Sequence, residues 1–303
     1  PVIISESGRS LIAYYSVLLF DILDINRFEN HSLPEQLSSE SHEYLLNLFE
    51  IYKSLTIKNI QETFHDALYY REEVLSRFIH GTITLREKGL AEQIFWLIIK
   101  KIAQLSKKMR YVPEEIQNLD EILIDTYYGN FSIFQSLPDS WAIDQLFPIL
   151  PIHRLNEEPK NSSYISDVTC DCDGKIKQFV DLHDIKKSIY LHDLNDDKYI
   201  LGVFIVGAYQ ETLGDLHNLF GDTNVMSISI DENGNIIYLR ELSGDTVEDV
   251  LSYVEYDPKQ LMNSFRSIAE KAVQFSKISG EERKIIMAAY KKVLQSYTYL
   301  QNE

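Results

Sequence analysis

The chain has 303 residues, 45% hydrophobic and 25% charged, a globular composition that excludes a fibrous or disordered polypeptide. Its 46 acidic and 29 basic residues give a formal charge of −17, so polyanions are repelled and neither nucleic acid nor an anionic membrane is an expected partner. The longest apolar run, Leu11–Phe20, stops at Asp21, short of the ~18 residues that a membrane span needs.

Three hundred and three residues are length for about two domains. The start, Pro1-Val2-Ile3-Ile4-Ser5-Glu6, has no basic region before an apolar stretch, so no secretory signal is visible. It has no initiating Met and reads as strand from the first residues, so the chain is expected to be the downstream part of something longer. The two cysteines, Cys170 and Cys172, form no disulfide framework, and a cytoplasmic home is the expectation.

Val2–Ser5 predicts a strand, Glu6-Ser7-Gly8-Arg9 a tight turn, and Ser10–Leu23 an apolar helix. Strand, turn and helix together mark a parallel α/β unit. Asn30–Glu40, polar and carrying Pro34, reads as a linker. Tyr44, Leu45, Leu48, Phe49, Tyr52 and Leu55 then recur at helical spacing, and Ile60, Phe64 and Leu68 continue in a second helix. Thr84-Leu85-Arg86-Glu87 is a capping box ahead of a third helix through Ile102. Residues 38–110 thus predict an antiparallel helical bundle.

Beyond Tyr127 the pattern turns to short strands: Asn130–Phe134, Ser163–Thr169, Lys175–Val180 and Ile200–Val206. Met226–Ile230 and Ile236–Leu239 flank an Asn233-Gly234 turn, a hairpin signal. Thr246–Tyr253 reads as a helical excursion. Asp257-Pro258 caps one terminal helix, and Ile285–Tyr297 forms another.

Four places could carry chemistry. In Cys170-Asp171-Cys172-Asp173-Gly174 two thiols cannot complete a four-ligand zinc site. The residues alone leave two readings there: an acidic turn with small buried thiols, or a thiol and a carboxylate presented at a strand end, Cys170 as proton donor and Asp171 gripping a cation. Gly207-Ala208-Tyr209-Gln210 closes an apolar strand, where Tyr209 either donates to an anion or packs its ring. Glu6-Ser7-Gly8-Arg9 is either a ligand loop at a strand end or a helix-capping ion pair. Asp139, in a Pro-rich loop, reads alone as a helix cap, and His217 as a packing or surface residue.

These motifs, in this order, resemble the biosynthetic arginine decarboxylases, of the alanine-racemase-like, pyridoxal-phosphate group that includes the ornithine and diaminopimelate decarboxylases. The resemblance rests on Ile4–Arg9, Asn130–Asp139, Asp144–Pro148, Thr169–Asp171, Gly207–Glu211, His217–Thr223 and Tyr297–Leu300, and covers nearly the whole chain. It implies that Glu6 pairs with the pyridine nitrogen of pyridoxal 5′-phosphate, and that Gly8, Arg9 and Tyr209 contact its phosphate. It implies Cys170 as the group that protonates the α-carbon and Asp171 as a ligand for the substrate's distal cation. Asp139 falls near the family's specificity loop. The implied reaction is decarboxylation of L-arginine to agmatine in polyamine biosynthesis, with magnesium as a second candidate cofactor. A homodimer or higher oligomer with shared sites is also implied.

The fold implied is multidomain α+β. The last β/α unit of a (β/α)8 barrel would occupy 1–29, a helical-bundle insert 30–112, an all-β sandwich or barrel domain 113–256, and a C-terminal helical hairpin 257–303. No lysine here matches the family's Schiff-base lysine, so an upstream barrel segment is expected to carry it, and this chain alone is expected to be inactive. Two alternatives stand beside this reading: a non-catalytic homologue that binds or regulates a partner subunit, and a decarboxylase for ornithine, lysine or diaminopimelate. The helical insert favours arginine.

Overall fold

The computed structural model describes residues 1–27, 33–34, 36–38, 41–195 and 198–301. The expected linker at 30–40 therefore lies largely outside the described residues. In chain order the first elements are α1 (Gly8–Ile12), a 3₁₀ turn at Ala13–Tyr15 and β1 (Leu18–Asn26). The helices α2 (Glu43–Ser54), α3 (Ile60–Ile79), α4 (Leu85–Ser106), α5 (Glu114–Gln117) and α6 (Leu119–Ile122) follow. Then come β2 (Asp125–Gly129), α7 (Ile133–Ser136), α8 (Pro138–Ala142), β3 (Ile149–Pro151) and β4 (Asn161–Ser166). Short strands β5 (Lys175–Ile176), β6 (Phe179–Val180), β7 (Ile185–Lys186) and β8 (Ile189–Leu191) precede β9 (Ile200–Val203) and α9 (Tyr209–Leu213). The chain ends with β10 (Val225–Ile230), β11 (Ile236–Leu242), α10 (Val247–Tyr253), α11 (Pro258–Gln274) and α12 (Gly280–Leu294).

Two compact units result, residues 1–25 with 126–303, and residues 26–125. The second is the expected bundle. Leu45, Leu48, Ile94, Ile98 and Ile102 are buried along its helix stripes. The Thr84 side chain accepts from the Glu87 backbone N–H, while the Glu87 carboxylate accepts from Thr84, so two orphan donors at the start of α4 are satisfied reciprocally.

The first unit is built on a seven-stranded, nearly closed barrel-like sheet of order β3-β9-β1-β2-β4-β5, with β8 on the other part of β4. Antiparallel β1 and β9 run in register from Leu18↔Val203 to Asp21↔Ile200. Phe20, Ile22, Tyr127, Phe131, Ile165, Leu201 and Val203 fill its interior. The predicted hairpin forms as β10 and β11, and the two terminal helices as α11 and α12, stacked through Phe265 and Tyr290.

Three sequence expectations are corrected. Val2–Ser5 is exposed and in no strand, because a strand exists only when its backbone is paired and this segment has no ladder partner among the described residues. The helix expected through Leu23 stops at the turn ending in Tyr15, and Leu18–Asn26 becomes a central strand of the sheet. Asn130–Phe134 is not a strand either; the Ser132 side chain accepts from the Gln135 N–H and starts α7 there. No helix among the described residues is long and apolar enough to cross a membrane.

Candidate active site

Backbone geometry at the end of β9 brings the chain's first turn against its last third. Ile205 and Gly207 both adopt left-handed φ, 60° and 75°, which turns the chain sharply into α9. A Cβ on Gly207 would lie 3.2 Å from the Ile12 carbonyl, so a side chain there would press the two segments apart by a few tenths of an ångström, and the left-handed φ itself favours glycine. Ser16 closes the joint from the other side: its hydroxyl donates to the Gly207 carbonyl at 2.8 Å, and its carbonyl accepts from Val206.

This joint assembles Gly8, Arg9, Tyr209, Gln210 and Asp139. The Arg9 guanidinium donates to Asp139 Oδ2 at 2.5 Å and lies 5.6 Å from the centre of the Tyr209 ring. Asp139 is 7% exposed. Gln210 holds it twice, donating to Oδ2 at 2.6 Å and accepting the Asp139 N–H at 3.0 Å. Asp139 is therefore not a helix cap but the buried anion that fixes Arg9. Its Oδ1 accepts no hydrogen bond among the described residues. A Cβ on Gly8 would sit 3.0 Å from the Tyr209 hydroxyl, so the missing side chain is what admits that hydroxyl. Arg9 stays 45% exposed, with donors left for a ligand. Glu6 is exposed and has no polar partner among the described residues.

Cys170 and Asp171 stand in a second group. The buried Asp167 shapes their turn. It accepts from the Ile133 N–H at 2.8 Å, and from the Thr169 N–H and hydroxyl at 2.9 and 2.7 Å. Burial pushes the Asp167 carboxyl above its ordinary range, and these donors pull the other way. Gly174 closes the turn, and a Cβ there would collide with the Asp167 carboxylate. The thiols of Cys170 and Cys172 are free and exposed, which sets aside the reading of buried thiols. Asn218 reaches Cys170, and His217 Nε2 lies 3.6 Å from Asp171 Oδ2. The His217 ring packs on Phe134 at 4.3 Å, so it is more than a surface residue. Among the described residues, one group of possible metal ligands clusters, Asp171, Cys172 and Asp173, on the exposed side of this turn.

The structure thus brings Gly8, Arg9, Tyr209 and Asp139 into mutual contact, and joins Cys170 and Asp171 to Asn218 and His217. Sequence reasoning missed Gln210, Asn218 and Asp167. The first two sit inside the motifs Gly207–Glu211 and His217–Thr223, and that adjacency was the available signal.

The arginine decarboxylase helical bundle domain matches residues 38–120, and the arginine decarboxylase C-terminal helical extension matches residues 247–300. A biosynthetic arginine decarboxylase of Gloeobacter violaceus is 45% identical over 100% of this chain and 48% of its own length. The chain is similar to the biosynthetic arginine decarboxylases along its whole length. Another biosynthetic arginine decarboxylase, from Bacteroides thetaiotaomicron, is 43% identical over 99% of the chain and 48% of its own length. The crystal structure of the biosynthetic arginine decarboxylase of Campylobacter jejuni superposes with a TM-score of 0.78 at 31% identity, covering 98% of this chain and 47% of that one. The chain spans about half the length of the arginine decarboxylases it matches.

Proposed function

We propose that the full-length protein decarboxylates L-arginine to agmatine and carbon dioxide for polyamine biosynthesis, and that these 303 residues supply part of its active site. The observation that carries the proposal is the convergence of Gly8, Arg9 and Tyr209 from distant parts of the chain. A guanidinium and a phenol hydroxyl around a backbone without a side chain form a donor set suited to a phosphate monoester. That set fits pyridoxal 5′-phosphate, which when bound supplies an electron sink for the pair left by the departing carboxylate.

The residues take the following parts. Arg9, Tyr209 and the backbone at Gly8 bind the phosphate. Asp139 and Gln210 keep Arg9 in place, and Asp139 Oδ1 is left to face a cationic substrate. Glu6, exposed on the same segment, takes the pyridine nitrogen. Cys170 holds the proton destined for the α-carbon, and Asp171 binds the guanidinium of arginine. As the family resemblance implies, a second copy contributes the thiol, and the working unit is a homodimer or a larger assembly with shared sites. The Schiff-base lysine is assigned to the part of the full-length protein outside these residues. No residue is assigned to magnesium.

The layout inferred with this function has residues 1–29 leading out of a pyridoxal-phosphate-binding (β/α)8 barrel, with β1 already in the sheet. Residues 30–112 form the bundle insert, 113–256 the β-domain and 257–303 the helical end. The bundle and helical-extension matches support the second and last of these.

Cofactor affinity tests the proposal. In the full-length protein, Tyr209→Phe is expected to weaken pyridoxal phosphate binding about tenfold, the equivalent of one hydrogen bond to an anion, and Arg9→Ala to weaken it further. Unchanged dissociation constants in both variants would remove this cluster from the cofactor site.

A further inference from the structure

We infer that His217-Asn218 is a two-residue clamp that positions Cys170 and Asp171, with Asn218 presenting a donor to the Cys170 sulfur. The inference deepens the proposed function and rests on Cys170 as the proton donor.

The geometry is specific. Asn218 has φ 56° and ψ 21°, a left-handed conformation that asparagine tolerates better than most residues. Leu219 follows with φ 60°. This kink turns the Asn218 amide back onto the Cys170 turn. Asn218 Oδ1 accepts the Cys170 backbone N–H at 3.2 Å. The same amide meets the thiol through both of its atoms: Cys170 Sγ lies 3.7 Å from Oδ1, to which the S–H can donate, and 3.6 Å from Nδ2, which can donate to the sulfur. One residue earlier, His217 Nε2 faces Asp171 Oδ2 at 3.6 Å, and Asp171 Oδ1 accepts the Asp173 N–H at 2.9 Å. Phe134 backs the imidazole. Adjacent residues on one strap therefore hold adjacent residues on the other.

The pairing has a chemical use. When Cys170 protonates the α-carbon, its S–H bond breaks as the new C–H bond forms, and the electron pair stays on sulfur. The thiolate can then accept but no longer donate, and the Asn218 N–H already in place stabilises it until water returns a proton. Were the proton delivered elsewhere, carbon dioxide would still be released but agmatine would not form: with water the carbon skeleton would leave as an aldehyde, and pyridoxal phosphate would keep the amino group. The ratio of agmatine to carbon dioxide therefore reads the position of the thiol, which a merely structural role for Asn218 would not move.

The test uses the full-length protein in a Cys172→Ser background, so that Cys170 is the thiol followed by mass after iodoacetamide treatment. Asn218→Asp keeps the left-handed backbone and the acceptor but removes the donor. Asn218→Ala removes both. Both are expected to lower turnover about tenfold or more, to shift the agmatine-to-carbon-dioxide ratio below one toward that of Cys170→Ala, and to leave the KM for arginine within about twofold. His217→Ala is expected to do the converse, raising KM with the ratio intact. Cys170 alkylation is expected to change several-fold in Asn218→Ala. A wild-type ratio and turnover in both Asn218 variants would overturn the clamp. Should the unsubstituted protein release no carbon dioxide from arginine, the proposed function fails instead, and the alkylation rate alone decides the clamp: an unchanged rate in Asn218→Ala overturns it.

Discussion

At Asp139 a buried carboxylate takes its polar partners from distant parts of the chain, Arg9 and Gln210. Removing the cation leaves a charge short of its main partner in a desolvated place. Arg9→Ala is therefore expected to lower stability by about 2 kcal/mol, and adding Asp139→Asn to recover part of that loss, because an amide needs no counter-charge. Urea unfolding of the single and double variants checks this; a sum of independent effects would contradict the pairing. Asp167 supplies a pH dependence. Its native carboxyl holds a proton to higher pH than the unfolded one does, so folding takes up a proton just above the ordinary carboxylate range. Its contribution to stability is then fully present below the ordinary carboxylate pKa of about 4 and is lost as pH rises through the raised native pKa. The stability of the natural chain minus that of Asp167→Asn should fall over that interval, and a rise would contradict the direction. Of these residues, Arg9 and Asp139 were legible as polar groups at turns, but their pairing was not. Gln210 and Asn218 act through partners far along the chain, and nothing in local spacing announces such contacts.

The elements divide by how locally their cause is written. The bundle helices are legible because their apolar positions repeat at helical spacing and Thr84 and Glu87 mark a start. Thr84→Ala is expected to destabilise this bundle by about 1 kcal/mol in thermal unfolding, the usual size of a lost cap. Glu87 is held below its ordinary carboxylate range by the same hydrogen bonds, so its share of that stability is lost as pH falls through its native pKa. Leu18–Asn26 was less legible. Its run Leu-Leu-Phe-Asp-Ile-Leu suits a buried helix or a buried strand, and pairing with β9, far along the chain, decides between them. The Glu6–Arg9 segment was legible as a turn with two readings, a ligand loop or a helix-capping ion pair, while its placement depends on the joint at Gly207. Gly207→Ala is expected to cost about 1–2 kcal/mol from its left-handed φ. Because the added methyl also presses on Ile12, cofactor affinity should fall with it; unchanged stability would show that the joint relaxes freely.

On the scale of the molecule, residues 26–125 and the remainder each carry a separate apolar core. A fragment of residues 33–125 is accordingly expected to fold alone, with helical circular dichroism and one cooperative thermal transition, and a non-cooperative melt would contradict that. The acidic composition gives a cationic substrate a favourable approach without naming it; the name arginine comes from the family. The most direct measurement is carbon dioxide and agmatine production by the full-length protein with pyridoxal phosphate, offered arginine, ornithine, lysine and diaminopimelate side by side. Release from arginine, with agmatine in equal amount, is the predicted result. No release from arginine by protein that retains the cofactor, or release mainly from another of the four, would contradict it.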